Sequence, residues 1–270
     1  MPMGPISRSL LFVPGDRPER FQKAANAGAH QIILDLEDAV APDAKDAARR
    51  HVEQWLEQGN SAAVRVNAVD TPWYERDIHM LRSWPDAVVM LPKADDQSLA
   101  CTIDQLPSHQ FVALLETVTG YVRLHQLCAV KGLSRIAFGS IDFSVESRVA
   151  DVGEALTAVR VQIALASAYA GLLPPIDGVS LELNDHQIML SSAEKGRDLG
   201  FGGKLCIHPR QVAAVNAAYQ PTAQQVQWAQ RVVDAFELSG GAATTLDGKM
   251  IDKPVVLGAR QVLEEHAARI

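Results

Sequence analysis

Cysteine is scarce in this 270-residue sequence, which contains three: Cys101, Cys128 and Cys206. They are odd in number, far apart and without the C-x-x-C spacing of a zinc site or a redox motif. The sequence therefore excludes a disulfide-stapled scaffold and a cysteine-based zinc site. We interpret the three thiols as buried side chains.

Two further absences narrow the class of protein. No stretch approaches the run of about 18 apolar residues that a membrane helix needs, and the N-terminal segment lacks the apolar core of a secretory signal. We therefore expect a cytoplasmic protein that does not interact with membranes. An excess of basic residues is also missing, because the net charge is −7. General nucleic-acid binding is not expected, although a local basic cluster can still bind a small anion.

Short apolar runs rich in β-branched residues recur along the chain and end at polar residues, glycine or proline. Buried parallel strands have this composition. The predicted strands are Ser9–Pro14, Gln31–Leu36, Ala62–Asn67, Ala87–Pro92, Phe111–Glu116, Arg135–Gly139, Asp177–Leu181 and Lys204–His208. Helical spacing of apolar residues predicts helices at Pro18–Gly28, Ala44–Gln58, Trp73–Trp84, Gln97–Leu106, Thr119–Val130, Glu154–Ala170, Asp185–Leu199 and Arg210–Ala218.

Eight near-equal strand–helix units either close into a barrel or form an open, doubly wound sheet. No G-x-G-x-x-G motif follows the first strand, so the main sign of a dinucleotide-binding open sheet is missing. We predict an α/β fold with a TIM (β/α)8 barrel over residues 1–220. Residues 221–270 predict a C-terminal helical extension, with helices at Ala223–Leu238 and Pro254–Ala267, that packs on its own or a neighbouring subunit.

Polar residues follow the predicted strands, and a barrel builds its active site at the C-terminal strand ends. Helix caps and solvated loops explain part of this set, which includes Asp16, Arg17, Glu37, Asp38, Asn67, Lys93, Glu182 and His208. Arg65 and Glu116 are harder to explain, since each lies within or at the edge of an apolar run. A charge there costs several kcal/mol unless it is paired or bound to a metal. An ion pair of Arg65 with Glu116 or Glu37 is the structural interpretation.

The functional interpretation assigns Glu116 and Asp142, at consecutive strand ends, to a divalent cation. Two oxygen ligands without histidine or cysteine suit Mg²⁺, which keeps several waters and takes further ligands from substrate. The sequence therefore predicts a magnesium site at the mouth of the barrel.

A basic cluster follows the first strand. Arg17, Arg20 and Lys23 lie on the first turns of the first predicted helix, where basic groups and free N–H groups together favour phosphate. A solvated helix face is the alternative. Two other polar residues have structural interpretations. Asp252 is interpreted as the N-cap of the final helix. His208 is interpreted as a residue that shapes its loop through a hydrogen bond, rather than as a catalytic base.

Ten ordered blocks of the sequence resemble a known family. They are Arg8-Ser-Leu-Leu-Phe-Val-Pro-Gly-Asp-Arg-Pro-Glu-Arg-Phe, Ile33-Leu-Asp-Leu-Glu-Asp-Ala-Val, Val64-Arg-Val-Asn, Leu91-Pro-Lys, Leu115-Glu-Thr, Phe138-Gly-Ser-Ile-Asp-Phe, Ile176-Asp-Gly-Val, Gly200-Phe-Gly-Gly-Lys, Ile207-His-Pro and Leu246-Asp-Gly-Lys-Met-Ile-Asp-Lys-Pro-Val. In these blocks the chain resembles the citrate lyase β-subunit-like proteins, relatives of malyl-CoA and citramalyl-CoA lyases within the HpcH/HpaI aldolase superfamily.

The resemblance implies Mg²⁺ on Glu116 and Asp142, and an Arg65 side chain that faces the acyl carbonyl and carboxylate of the substrate. It also implies that the barrel assembles into a homotrimer or a larger homo-oligomer. The acid of the Met-Ile-Asp block, here Asp252, would reach a neighbouring subunit's site and serve in proton transfer. The Glu37-Asp38 pair is the alternative for this role.

The same resemblance implies that Phe12, Arg17 and Lys23 contact the CoA part of an acyl-CoA substrate. The expected function is that of a Mg²⁺-dependent carbon–carbon lyase. It would cleave or form a 3-hydroxyacyl-CoA such as citramalyl-CoA, malyl-CoA or citryl-CoA, with acetyl-CoA and a keto acid as the other side of the reaction. Alternatives are a CoA-independent class II aldolase for hydroxy-keto acids, a carrier-dependent citrate lyase β subunit and a non-catalytic barrel.

Overall fold

The structure, a computed structural model, describes residues 7–267. The chain divides into two compact units, Met1–Ala217 and Ala218–Ile270. No helix among the described residues is both long enough and apolar enough to cross a bilayer.

The first unit contains a closed barrel of eight parallel strands, in which each strand pairs with its neighbours in chain order and the last pairs with the first. The strands are β1 Ser9–Pro14, β2 Gln31–Asp35, β3 Ala63–Arg65, β4 Val88–Leu91, β5 Gln110–Leu115, β6 Leu133–Phe138, β7 Ile176–Asp177 and β8 Gly203–Cys206. The prediction of a TIM barrel is confirmed.

Ten helices follow or connect these strands in the described part of the first unit. They are α1 Phe21–Ala25, α2 Lys45–Glu57, α3 Tyr74–Leu81, α4 Asp96–Gln105, α5 Val118–Val122, α6 Leu124–Cys128, α7 Ser140–Ser147, α8 Thr157–Tyr169, α9 His186–Asp198 and α10 Pro209–Ala218. Short 3-10 turns at Pro18–Arg20 and Pro42–Ala44 precede α1 and α2. Proline suits the first position of such turns, because its fixed φ matches and its missing N–H leaves no donor unpaired.

Two helical regions and one side chain differ from the prediction. The helix predicted over Thr119–Val130 is broken into α5 and α6 at Arg123, which leaves helical geometry while its guanidinium binds Asp96 at 2.7 Å. Helix α7 was not predicted, since apolar residues such as Ile141 and Val145 on it are exposed and hide its periodicity. The prediction that all three thiols are buried was wrong for Cys101, which is exposed on α4.

Strand β7 is shorter than predicted and ends at Asp177. The carboxylate of Asp177 is bound there by Lys204 and Arg160, each at 2.8 Å. Gly178 follows so close to β6 that an added Cβ would lie 2.9 Å from the carbonyl oxygen of Phe138. The chain then turns away from the barrel wall, so the predicted continuation to Leu181 is loop.

Inward-facing side chains alternate along each strand and fill the barrel with apolar groups. The interior cluster comprises Leu10, Ile33, Ala63, Val88, Met90, Val112, Leu114, Ala137, Ile176 and Leu205. Two residues beyond four of these positions, the same alternation brings Phe12, Asp35, Arg65 and Glu116 to the C-terminal mouth. The period of the strands therefore selects which polar side chains meet there.

Arg135 closes the opposite end of the barrel. This side chain is fully buried, and its guanidinium donates to the carbonyl oxygens of Ser7, at 2.8 Å, and of Pro174. Both carbonyls belong to segments that lead into strands, so one cation ties together the starts of β1 and β7. This end therefore serves stability, as is usual in this architecture.

The second unit is a small helical assembly. It contains α11 Ala223–Leu238, the hairpin strands β9 Thr244–Leu246 and β10 Lys249–Ile251, and α12 Lys253–Ala267. Thr222 forms a capping box at the start of α11, and Asp247-Gly248 supplies the two positive φ angles of a tight hairpin turn. Asp252 accepts a hydrogen bond from the backbone N–H of Val255 at 3.3 Å, as an N-cap of α12 does. That this unit packs on its own or a neighbouring barrel stays a prediction.

Candidate active site

A cavity of about 240 Å³ opens at the C-terminal mouth of the barrel. Its wall includes Phe12, Asp35, Arg65, Glu116 and Asp142, which come from the ends of four strands and from the first turn of α7. Four of the residues predicted for metal and substrate therefore lie around one cavity: Phe12, Arg65, Glu116 and Asp142.

The guanidinium of Arg65 is held on several sides. Asp35 accepts from it with both carboxylate oxygens, at 2.7 Å from Nε and 2.6 Å from the second terminal nitrogen. The other terminal nitrogen lies 3.1 Å from Oε2 of Glu37, an ion pair whose angle does not meet hydrogen-bond geometry. The ring of Phe12 packs against the guanidinium, 4.8 Å from its centre. Burial lowers the pKa of Arg65, but the charge and hydrogen bonds of Asp35 outweigh it and raise the pKa above its ordinary value.

Asp35 was not among the residues predicted for the site. Its carboxylate also accepts the backbone N–H groups of Glu37, at 2.9 Å, and of Ala39, at 3.0 Å, so it connects Arg65 to the loop after β2. The sequence carried the same signal for Asp35 as for Arg65, a charge inside an apolar strand run. Glu37, one of the two predicted ion-pair partners, does contact Arg65. The bidentate partner is Asp35, which was not predicted.

Glu116 is buried just beyond β5. Its Oε1 accepts the backbone N–H of Lys93 at 2.8 Å, and Lys93 has a φ of 49°, an unusual conformation that turns this N–H toward the site. Burial and the negative charge of Glu37 together raise the pKa of Glu116 to about 8, although the hydrogen bond from the Lys93 backbone and the charge of Arg65 lower it. The carboxyl group is therefore harder to ionise here than in water.

Gly139 is the residue that lets Glu116 and Asp142 share the cavity. A Cβ at this position would lie 2.5 Å from Cβ and 2.7 Å from Oε2 of Glu116, closer than real contacts allow. Asp142 follows three residues later on α7 and is exposed to the cavity. Close approach of backbone to carboxylate thus requires glycine at position 139.

The two carboxylates fit a bound Mg²⁺. Among residues 7–267 no three His, Cys, Asp or Glu side chains converge as a complete ligand set. A site with two carboxylates and the remaining positions left to water and substrate is the usual arrangement for this ion. A divalent cation would also counter the effect of burial on Glu116, since opposite charge favours the ionised carboxylate.

Glu37 and its neighbours form the second layer of the site. Glu37 is buried, and burial is the main cause of its raised pKa. The ammonium of Lys93 lies 3.2 Å from Oε1 of Glu37. Lys45 is buried as well, and its ammonium donates to the carbonyl oxygens of Leu36 and Glu37, both at 2.7 Å. These contacts hold the loop that presents Glu37 to Arg65.

The other predicted residues of the first unit lie outside the cavity wall. Arg17 and Lys23 are exposed on the turn and helix after β1, and the contact of Arg17 with Asp16 is a loose one at 3.9 Å. Asp252 belongs to the second unit. His208 accepts the backbone N–H of Arg210 through Nδ1 at 3.1 Å, which agrees with a loop-shaping role.

A closed parallel barrel with an acidic pair and an anchored guanidinium at its C-terminal mouth defines an α/β-barrel enzyme with a site suited to a divalent cation. Residues 8–209 match the family model of HpcH/HpaI aldolase/citrate lyase. The chain belongs to this family, and the resemblance found in the sequence blocks is confirmed.

Relatives align with nearly the whole chain. A (3S)-malyl-CoA thioesterase of Cereibacter sphaeroides is 33% identical, covering 97% of this chain and 95% of the relative. A citrate lyase subunit beta-like protein of Mycobacterium tuberculosis is 35% identical, with coverage of 94% and 93%. The crystal structure of CitE from M. tuberculosis in complex with magnesium, acetoacetate and coenzyme A superposes with a TM-score of 0.84, at 32% identity and coverage of 97% and 98%.

Proposed function

We propose that this chain is a Mg²⁺-dependent carbon–carbon lyase for a 3-hydroxyacyl-CoA such as citramalyl-CoA, malyl-CoA or citryl-CoA. The reaction yields acetyl-CoA and a keto acid, or runs in the reverse direction. The observation that carries the proposal is the pair Glu116 and Asp142 beside the anchored guanidinium of Arg65. The complex of the related CitE protein with magnesium, acetoacetate and coenzyme A supports it.

Cleavage moves charge in two places. The proton leaves the C3 hydroxyl group and its electron pair forms the carbonyl of the keto acid. The electron pair of the C2–C3 bond moves into the thioester, which becomes an enolate and then takes up a proton at C2. Electrostatic stabilisation of both developing charges is the main requirement for catalysis.

Glu116 and Asp142 would hold the metal ion at the keto-acid half of the substrate. When bound, Mg²⁺ supplies a Lewis acid for the hydroxyl and carboxylate oxygens. Glu116 must be ionised for this role, and the hydrogen bond from the Lys93 backbone keeps its carboxylate oriented without adding a charge.

Arg65 would stabilise the enolate oxygen of the thioester. A guanidinium has five N–H donors, and Asp35 and Glu37 occupy three of its directions. Arg65 lines the cavity, and the bidentate contact to Asp35 and the ring of Phe12 restrain the plane of its guanidinium. Preorganised donors need no reorganisation as charge develops.

The remaining roles rest on the family resemblance. Asp252 would move the proton at C2 from a neighbouring copy of the chain within a homotrimer or larger assembly. Arg17 and Lys23 would bind the phosphates of CoA at the edge of the barrel. The protein would act in the cytoplasm. Phe12 has a further role in this structure, since its ring supports Arg65.

Purified chain tests the proposal directly. Incubated with citramalyl-CoA, malyl-CoA and citryl-CoA, it is expected to release acetyl-CoA and the matching keto acid with Mg²⁺ but not with a chelator. The variants Glu116→Gln and Asp142→Asn should lose turnover and metal activation together. The matched control Glu53→Gln, an exposed residue of α2, should keep both. Turnover of a CoA ester that does not depend on metal, or is unchanged in both site variants, would remove the proposal.

Thioester hydrolysis is a second candidate, because a relative 33% identical to the chain is named a malyl-CoA thioesterase. The same assay separates the two reactions. Hydrolysis releases free CoA, detected as a thiol, together with the intact hydroxy acid. Cleavage releases acetyl-CoA and a keto acid without free thiol.

A further inference from the structure

Asp35 binds the backbone N–H groups of the loop that follows β2. Its carboxylate accepts the N–H of Glu37 at 2.9 Å and that of Ala39 at 3.0 Å. The same carboxylate forms the bidentate contact with Arg65. The conformation of this loop is therefore coupled to the orientation of the guanidinium.

Lys45 binds the carbonyl groups of the same loop. This first residue of α2 is 5% exposed, and its ammonium donates to the carbonyl oxygens of Leu36 and Glu37, both at 2.7 Å. The ammonium also lies 5.1 Å from the centre of the Trp73 ring, within the range of a cation–π contact. Two carbonyl groups and one aromatic ring thus match the three N–H donors of the ammonium.

A lysine buried in this way is unusual. Both hydrogen-bond acceptors are uncharged, and no carboxylate in the described part of the chain lies within ion-pair distance of the ammonium. Burial lowers the pKa of Lys45, although the negative charges of Asp35 and Glu37 offset part of that effect. A buried charge without an ion-pair partner costs stability, and such departures from ordinary burial are expected mainly where they serve a function.

The carboxylate of Glu37 depends on the conformation of this loop. Its Oε2 lies 3.1 Å from a terminal nitrogen of Arg65, and its Oε1 lies 3.2 Å from the ammonium of Lys93. The contact with Arg65 does not meet hydrogen-bond geometry, so the position of the carboxylate rests largely on the backbone that carries it. A shift of the loop would move Glu37 relative to both cations.

Resting on the lyase function proposed above, we infer that Lys45 is a positioning residue of the site. Through the two carbonyl groups of the loop it fixes the Glu37 carboxylate beside Arg65. Lys45 lies outside the cavity wall, so it acts on the reaction through other residues. A misplacement of about 1 Å at a catalytic group can cost about 10²-fold in rate. Loss of Lys45 should therefore lower kcat rather than weaken substrate binding.

The variant Lys45→Met tests the inference, since methionine is of similar length and has neither the charge nor the N–H donors. With Mg²⁺ and a CoA ester that the wild-type chain cleaves, kcat is expected to fall by about 10–100-fold, and KM to change by less than about threefold. Lys131→Met, at an exposed position between α6 and β6, is the control and should keep both constants. An unchanged kcat, or a loss that appears only in KM, would overturn the inference.

A second background shows whether Lys45 acts through Glu37. In Glu37→Gln the charge of the carboxylate is already lost, so adding Lys45→Met should lower kcat by less than about threefold more. An equal loss in the two backgrounds would show that Lys45 acts independently of Glu37 and would overturn the inference. Should Lys45→Met fail to fold, Trp73→Leu decides, because it removes only the ring contact. It is expected to lower kcat by about 3–10-fold, and an unchanged kcat would overturn the inference.

Hydrogen exchange gives a readout that does not require activity. Because Asp35 binds the amides of Glu37 and Ala39, these amides report on the conformation of the loop. In Lys45→Met, mass spectrometry of peptides spanning residues 36–40 is expected to show exchange at least about tenfold faster, with wild-type rates in the barrel strands. Faster exchange with unchanged kcat would show a purely structural role, which overturns the inference and leaves the lyase function standing. A wild-type chain that cleaves no CoA ester removes the lyase function itself, and with it the inference.

Discussion

Asp35 and Arg65 are direct neighbours in the register of β2 and β3, and their side chains form a bidentate ion pair at 2.7 and 2.6 Å. Both point into the barrel at its mouth, where they are almost completely buried. Planar, two-point contact of this kind fixes the orientation of a guanidinium as well as its position. The acid therefore sets the direction in which Arg65 presents its remaining donors.

Replacement of Asp35 should disturb catalysis through Arg65. Asp35→Asn removes the charge and one of the two acceptor contacts, so we expect kcat to fall by about 10²-fold, the lower end of the loss that follows removal of a donor to an oxyanion. The KM for the CoA substrate should change little. Asp43→Asn, at an exposed position, is the control. Arg65→Lys should also have low activity, because an ammonium group cannot form the two-point contact with Asp35. A KM effect without a kcat effect would show that Asp35 serves only substrate binding.

Metal binding should depend on pH through Glu116. The pKa of this carboxyl is raised to about 8, so a proton must leave before Mg²⁺ binds at neutral pH. Affinity for Mg²⁺, measured by calorimetry between pH 6 and pH 9, is expected to rise up to about tenfold per pH unit below pH 8 and then level off. A flat profile in the wild-type chain, or an unchanged slope in Glu116→Gln, would show that another group controls binding.

The metal-free chain should lose stability in the same pH range. A carboxyl whose pKa is higher in the folded state contributes stability that is complete below about pH 4.5 and is lost as pH rises through about 8. Glu116→Gln has no charge to bury, so it should match the wild-type free energy of unfolding at pH 5. At pH 9 we expect it to be more stable by on the order of 1–3 kcal/mol. Urea unfolding at the two pH values in the presence of a chelator measures this difference.

Glycine at position 139 should be essential for the site. Gly139→Ala places a methyl group 2.5 Å from the Glu116 side chain, so the carboxylate must move and Mg²⁺ affinity should fall by at least about tenfold. Gly258→Ala is the control, since this glycine of α12 has no atom within 4 Å of an added Cβ. That control should unfold at an equal or slightly higher temperature. Normal metal affinity in Gly139→Ala would show that the site tolerates a shift of Glu116.

Arg17 should contribute to binding rather than to the chemical step. Arg17→Ala is expected to raise the KM for the CoA substrate by about 3–10-fold with little change in kcat, as the loss of uniform binding does. The effect should weaken at high salt, because the side chain is exposed. Arg50→Ala, an exposed residue of α2, should leave both constants unchanged. A change in kcat alone would contradict the assignment.

Much of the barrel could be predicted from local patterns. Seven of the eight strands were located over most of their length, because buried parallel strands produce continuous apolar runs that differ clearly from helical spacing. The prediction for the seventh strand overlaps β7 only at Asp177. Shorter elements were harder to predict from the sequence. Helix α7 has apolar residues on an exposed side, and β7 is only two residues long since its end is determined by crowding against β6.

Residue type and the period of two along a strand were enough to predict the succession of barrel strands, the acids at the strand ends, and Arg65 and Glu116 as charges inside apolar runs. Three properties could be seen only in the folded chain. Asp35 is the bidentate partner of Arg65, Gly139 leaves room for Glu116, and burial raises the pKa of Glu116. Such properties depend on distances between residues far apart in the chain, and closure of the barrel creates those distances.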